Sequence, residues 1–188
     1  MLNPFRSGGH PHVLVVGMTG VKLGERFAQI GCAHGGRLAA VAAKVGLSGR
    51  AVAIVPDEAS AARARKGAAD AGVLVEVETA PPTRVPLPDE EIDLAVIDET
   101  GGLLRALGSD DRAATVREVL RILRPGGRVL VVGTAPRSGI GGWFARTPDT
   151  PQFDPSPGLQ AGGFKSVRTL AEREGLVFIE GIKPRRAS

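Results

Sequence analysis

Tyrosine is absent from this 188-residue chain, and its aromatic side chains are six Phe and one Trp. A platform that stacks successive bases of single-stranded nucleic acid needs more aromatic faces than that. The single cysteine, Cys32, excludes an intramolecular disulfide and a cysteine-cage zinc site. No apolar run reaches the roughly 18 residues that cross a bilayer. The N-terminal stretch M-L-N-P-F-R-S-G-G-H-P-H lacks a basic region followed by a long apolar core, so no secretory signal is read there. A soluble protein in the cytoplasm is the expectation, with no membrane span and no metal site.

What is present suits one globular domain. Hydrophobic residues make up 43% and charged residues 23%, enough apolar surface to exclude disorder of the whole chain. The length fits a single domain over residues 1–188. Net charge is +4, from 24 Lys plus Arg against 20 Asp plus Glu, but the basic residues are scattered. Only Lys183, Arg185 and Arg186 cluster, as solvated chain ends often do. Nucleic acid is therefore not the expected partner.

The run Phe27–Gly36, F-A-Q-I-G-C-A-H-G-G, carries the most information. A short apolar strand breaks into a glycine turn that leads into an Ala-rich helix. Glycines there permit positive φ and leave out the Cβ that would hold a ligand off the backbone, while the helix turns its unpaired N–H groups to the same place. The plainer alternative is that Gly31, Gly35 and Gly36 only permit a tight turn.

Further units follow. Ala51–Val55 reads as a second strand, with Pro56 and Asp57 opening a helix to Ala71 that Gly72 ends. Val73–Val77 reads as a third strand, and the Pro81–Pro88 connection is kept out of helix by its prolines. Ile92–Ile97 is a fourth. Ser109–Leu123 has apolar residues at 113, 116, 119, 120 and 123, one helical face, with Asp110 or Asp111 as its cap and Pro125-Gly126 as its stop. Arg128–Val132 is aliphatic enough for a central parallel strand. Val13–Val16 fits strand or helix alike. The stretch 136–163, with Trp143, Phe144 and Phe153, reads as a Gly/Pro-rich loop or lid, and the segments around Glu174-Gly175 as a hairpin. Strands alternating with helices give an α/β, doubly wound, mostly parallel sheet.

A glycine turn, then I-D-L-A-V-I-D, then a helix running into Leu123-Arg124-Pro125-Gly126-Gly127 and V-L-V-V-G, resembles the class I S-adenosylmethionine-dependent methyltransferases. The likeness is to the small-molecule branch that includes ubiquinone-biosynthesis enzymes. It implies a seven-stranded Rossmann-like sheet with an antiparallel C-terminal hairpin, S-adenosyl-L-methionine as cofactor and a small-molecule methyl acceptor. It also implies four loops at the carboxyl ends of the strands. Gly31–Gly36 would take the methionine part, with Gln29, Gly31, Cys32, Ala33, His34 and Gly35 around it. Val55, Pro56 and Asp57 would meet the ribose, Ala80 and Pro81 the adenine, and Asp98–Gly101 the acceptor, with Asp98 and Glu99 as candidate catalytic carboxylates.

Several positions depart from the family pattern. Gln29 stands where an acid usually ends the first strand, Val55 where an acid takes the ribose hydroxyls, and Pro81 where an Asp often meets the adenine. Ala33 replaces the middle glycine. Asp57, two residues beyond Val55, serves either the ribose or the helix N-cap. His34 at the turn tip either approaches the cofactor or faces solvent. Cys32 suits a small buried side chain more than a nucleophile. Two other readings stay open: a binding or regulatory protein whose cofactor site has decayed, and an RNA methyltransferase suggested by the basic balance.

Overall fold

The computed structural model describes residues 12–135 and 153–186. Seven strands form one sheet: β1 (Arg26–Ile30), β2 (Arg50–Val55), β3 (Glu76–Thr79), β4 (Ile92–Asp98), β5 (Leu123–Thr134), β6 (Lys165–Arg173) and β7 (Leu176–Ile182). Their order is β3-β2-β1-β4-β5-β7-β6. β1 to β5 run parallel to one another, and β7 runs antiparallel to both β5 and β6. Among the described residues five α-helices cover the sheet, α1 (Val13–Thr19), α2 (Gly35–Val45), α3 (Glu58–Ala71), α4 (Ser109–Ile122) and α5 (Ser156–Ala161), and a 3-10 turn spans Glu99–Gly101.

The central strands are buried on both faces, and side-chain alternation sends neighbours to opposite sides. Ala28, Ile30 and Ile54 join Val116, Val119, Ile122 and Leu159 in the core under α4 and α5. Phe27, Ala53, Val55 and Phe178 join Val15, Leu38, Val41 and Ala61 under α1, α2 and α3. The strand order reverses between β1 and β4, and an open sheet of this kind leaves a crevice beyond its strand ends there. Among the described residues no helix is long and apolar enough to cross a membrane.

The segment Val13–Val16, ambiguous in sequence, is helical. The third strand begins at Glu76 rather than Val73, because the Val73 N–H still bonds the Ala68 carbonyl behind Gly72, a left-handed helix terminus. Gly108, not Asp110 or Asp111, is the N-cap of α4; the two acids lie in the first turn, where the helix dipole favours them. Helix α4 ends at Ile122, before Pro125, and Leu123 already pairs with Ile92. The next pair is Leu94 with Arg128, so Arg124–Gly127 bulges out of β5, and Gly126 takes φ +78° there. Glu174 and Gly175, both at positive φ, make the two-residue turn of the β6–β7 hairpin. Within the stretch read as a loop or lid, residues 156–161 form α5, and Leu159 is fully buried. Trp143 and Phe144 lie outside the described residues.

Candidate active site

The β1–α2 turn is built by backbone needs first. Gly31 sits at φ +80°, and a Cβ on it would come within 2.9 Å of Leu103 Cδ2. Asp98, 4% exposed at the end of β4, braces the turn from the neighbouring strand. Its Oδ2 accepts the Ala33 N–H at 2.8 Å, and its Oδ1 accepts the Thr100 N–H at 3.2 Å and the Thr100 hydroxyl at 2.6 Å. Arg37 donates to Thr100 Oγ1 at 2.8 Å and lies 3.7 Å from Asp98 Oδ1.

At the end of β2, Val55 is fully buried and Asp57 is exposed as the N-cap of α3. Asp57 Oδ1 accepts the Ser60 N–H at 2.7 Å, and that bond holds the carboxyl below its ordinary range. One turn on, Arg63 reaches back to the glycine turn, donating from Nε to the Cys32 carbonyl at 3.0 Å and from Nη2 to Ser60 Oγ at 2.7 Å. These groups surround a cleft of about 190 Å³ lined by Gly31, Cys32, Ala33, Pro56, Asp57 and Asp98 together with Ser60, Arg63, Gly101 and Leu103. Its volume is below the roughly 300–1,000 Å³ of a typical enclosed ligand pocket, so the described walls embrace only part of a ligand of that size.

Six of the residues anticipated from sequence thus meet on the cleft, and seven do not line it. Gln29, 3% exposed, turns its amide inward and donates to the Gly31 carbonyl at 2.9 Å. Val55 lies beneath the floor in the core, and Ala80 donates its N–H to the Val55 carbonyl with Pro81 exposed beyond it. His34 is an exposed N-cap residue whose ring stacks edge-on against His12, with centroids 5.1 Å apart, over a separate groove against α1 and α3. Burial, aided by His34 and Arg37, holds His12 below the usual imidazole range.

Gly35 serves helix packing. A Cβ on it would collide with the Arg63 carbonyl and lie 3.1 Å from Gly67 Cα, so the third glycine of the turn lets α2 and α3 touch backbone to backbone. Ala33, in place of the middle glycine, is accommodated by Gly101, where a Cβ would lie 3.1 Å from the Ala33 methyl. Burial pushes the Cys32 thiol up to about 11, leaving it protonated and weakly nucleophilic near neutral pH.

Glu99 also stands off the cleft. Buried at 4% exposure, it accepts the N–H groups of Leu104 and Arg105 and so shapes the turn after β4. Burial raises its pKa despite those bonds. A carboxyl raised in the folded chain contributes stability that is complete below its unfolded pKa, about 4.3, and is lost as pH rises through the folded value. The stability of the wild type relative to Glu99→Gln therefore increases on acidification from pH 7 to pH 4.5. Urea unfolding at a series of pH values measures this; a relative stability that falls on acidification would overturn the assignment.

Arg63 was not among the candidates from sequence, because its sole signal is position: it lies six residues after Asp57 on a helix that Gly35 and Gly67 let approach the turn. The residues present fit a zwitterionic nucleoside cofactor. The exposed Asp57 carboxyl lines the cleft where a hydroxyl pair could meet it, Arg63 offers N–H groups beyond its two bonds to a carboxylate, and the glycine turn provides the floor. Among the described residues no group of three or more His, Cys, Asp or Glu is placed to hold a metal ion.

The family profile described as a methyltransferase domain matches residues 28–131. No curated protein matches in sequence. Among solved structures, a SAM-dependent methyltransferase from Aquifex aeolicus superposes with a TM-score of 0.72 at 18% identity, over 90% of this chain and 88% of that one. YcgJ from Bacillus subtilis gives 0.63 at 14% identity, over 92% and 97%. A SAM-dependent O-methyltransferase from Thermotoga maritima gives 0.65 at 16% identity, over 93% and 65%. At these identities the likeness is one of fold.

Proposed function

The chain belongs to the methyltransferase domain family, and from that premise we propose that it binds S-adenosyl-L-methionine in the β1–β4 cleft and transfers its methyl group to a small-molecule acceptor. The observation that carries this reading is the convergence of the glycine turn, Asp57 and Arg63 at the point where the strand order reverses. Such a cofactor, held by Asp57, Arg63 and the Gly31–Ala33 backbone, would supply an electrophilic methyl group on a sulfonium sulfur.

The protein's part is binding and orientation. The Asp57 carboxyl takes the ribose hydroxyls in place of the usual acid at Val55. Arg63 takes the cofactor carboxylate, and the Gly31–Ala33 backbone supports the chain between them. Asp98 is a positioning residue, since both its oxygens are occupied by the turns it joins. Residues 1–188 act as one domain, and the setting is cytoplasmic.

Calorimetry tests the reading. S-adenosylhomocysteine, the demethylated product, should bind the wild-type chain, and Asp57→Ala should bind it at least about tenfold more weakly, as expected for losing a charge-assisted hydrogen-bond pair. Absence of heat with donor and product alike would overturn the reading in favour of a protein that keeps the fold without the cofactor.

A further inference from the structure

We propose that the groove between α4 and α5 binds a small amphipathic carboxylic acid, at a site separate from the cofactor cleft. The groove measures about 400 Å³. That is within the size range of small-molecule sites, whose walls are mostly apolar with a few convergent polar groups. Here Ala113, Val116 and Phe153 provide the apolar wall, and Ser109, Arg112 and Arg117 the polar one.

The charge pattern selects the ligand. Arg112 lies over the Phe153 ring, 5.5 Å from its centroid, which holds the guanidinium plane in place while leaving its edge N–H groups for a planar acceptor. Neither Arg112 nor Arg117 has an ion-pair partner among the described residues, whereas Arg121 on the same helix is bound to Glu118 and Asp89. Asp154 is the one acid on the lining, and its Oδ1 accepts the Ser156 N–H at 2.9 Å at the start of α5. Two cations against one anion, beside an aromatic ring, match a carboxylate attached to an apolar body.

Position separates the groove from the cofactor cleft. Leu103 lines the cleft, while Leu104, the next residue, lines the groove. The turn that Glu99 holds by its bonds to Leu104 and Arg105 is therefore the partition between the two. Gly162 lets α5 close the far side, since a Cβ there would collide with Val116 Cγ1.

The test uses the full chain and two probes with one carbon skeleton, trans-cinnamate and cinnamyl alcohol, followed by amide chemical shifts. Cinnamate should perturb Ala113, Val116, Ala161 and Gly162 and bind about tenfold more tightly than the alcohol, as a charge-assisted contact to arginine requires. The Arg112→Gln/Arg117→Gln double variant should erase that difference while leaving the affinity for S-adenosylhomocysteine unchanged. Cinnamate should also bind with the product already in place.

Equal affinities of the two probes, or shifts confined to other surfaces, would overturn the carboxylate site. Mutual exclusion with the product would overturn the separation of the two sites. Cinnamate binding to a chain that does not bind the product would leave the groove standing and remove the cofactor reading instead.

Discussion

Gly67→Ala should lower the stability of the chain by about 2–3 kcal/mol, although alanine is by itself the better helix former by about 1 kcal/mol. The new Cβ would lie 2.6 Å from Gly35 Cα and closer still to its carbonyl group, and both neighbours are backbone, which has no rotamer to escape into. Overpacking therefore outweighs propensity. For a chain of this length that corresponds to a fall in Tm of roughly 4–12 °C, measured by thermal unfolding. Gly17→Ala in α1 is the internal control, because a Cβ there meets nothing within 4 Å and the propensity gain alone should operate. Equal Tm values for the two variants would contradict the backbone contact between α2 and α3. Prying the helices apart also moves Arg63 away from the Cys32 carbonyl, so the same variant should lose affinity for the cofactor product.

Asp98→Ala should have an effect of similar size for an electrostatic reason. It strips the acceptor from the Ala33 N–H and from both groups of Thr100, and it leaves Arg37 without its nearby carboxylate. Removing one partner of a buried, charge-assisted network costs about 3 kcal/mol. The product should bind at least tenfold more weakly, because the turn beneath it loses its brace. Asp98→Asn retains a carbonyl oxygen for one of the two turns and should recover part of both losses, read by urea unfolding and calorimetry. A general base at Asp98 would instead make Asn as damaging to methyl transfer as Ala while sparing product affinity.

Much of the sheet was legible because its pattern is local. β1, β2 and β4 are short, mostly apolar runs, Gly31 and Pro56 end the first two, and the two-residue turn at Glu174-Gly175 is visible in the sequence. The boundaries that shifted did so for tertiary reasons. Val73 is held by the end of α3 instead of pairing with β2, and Leu123 enters the sheet four residues before the bulge closes. The cleft was legible where it consists of backbone, at Gly31–Ala33 and Pro56-Asp57.

What sequence could not show is which side chains turn away. Gln29 folds back on the Gly31 carbonyl, His34 leans toward His12, and Gly35 is consumed by contact with α3. Arg63 enters from a helix whose approach depends on two glycines 32 residues apart, Gly35 and Gly67, a relation that no local pattern encodes. The partition at Leu103 and Leu104 is set by the buried Glu99 carboxylate, which in sequence looks like half of a catalytic pair.

The most direct measurement is an amide chemical-shift titration of the wild-type chain with S-adenosylhomocysteine. Saturable shifts are expected at Gly31, Cys32, Ala33, Asp57 and Arg63, with the His12–His34 groove unmoved. Shifts centred on that groove, or none at any residue up to millimolar ligand, would contradict a cofactor cleft between β1 and β4.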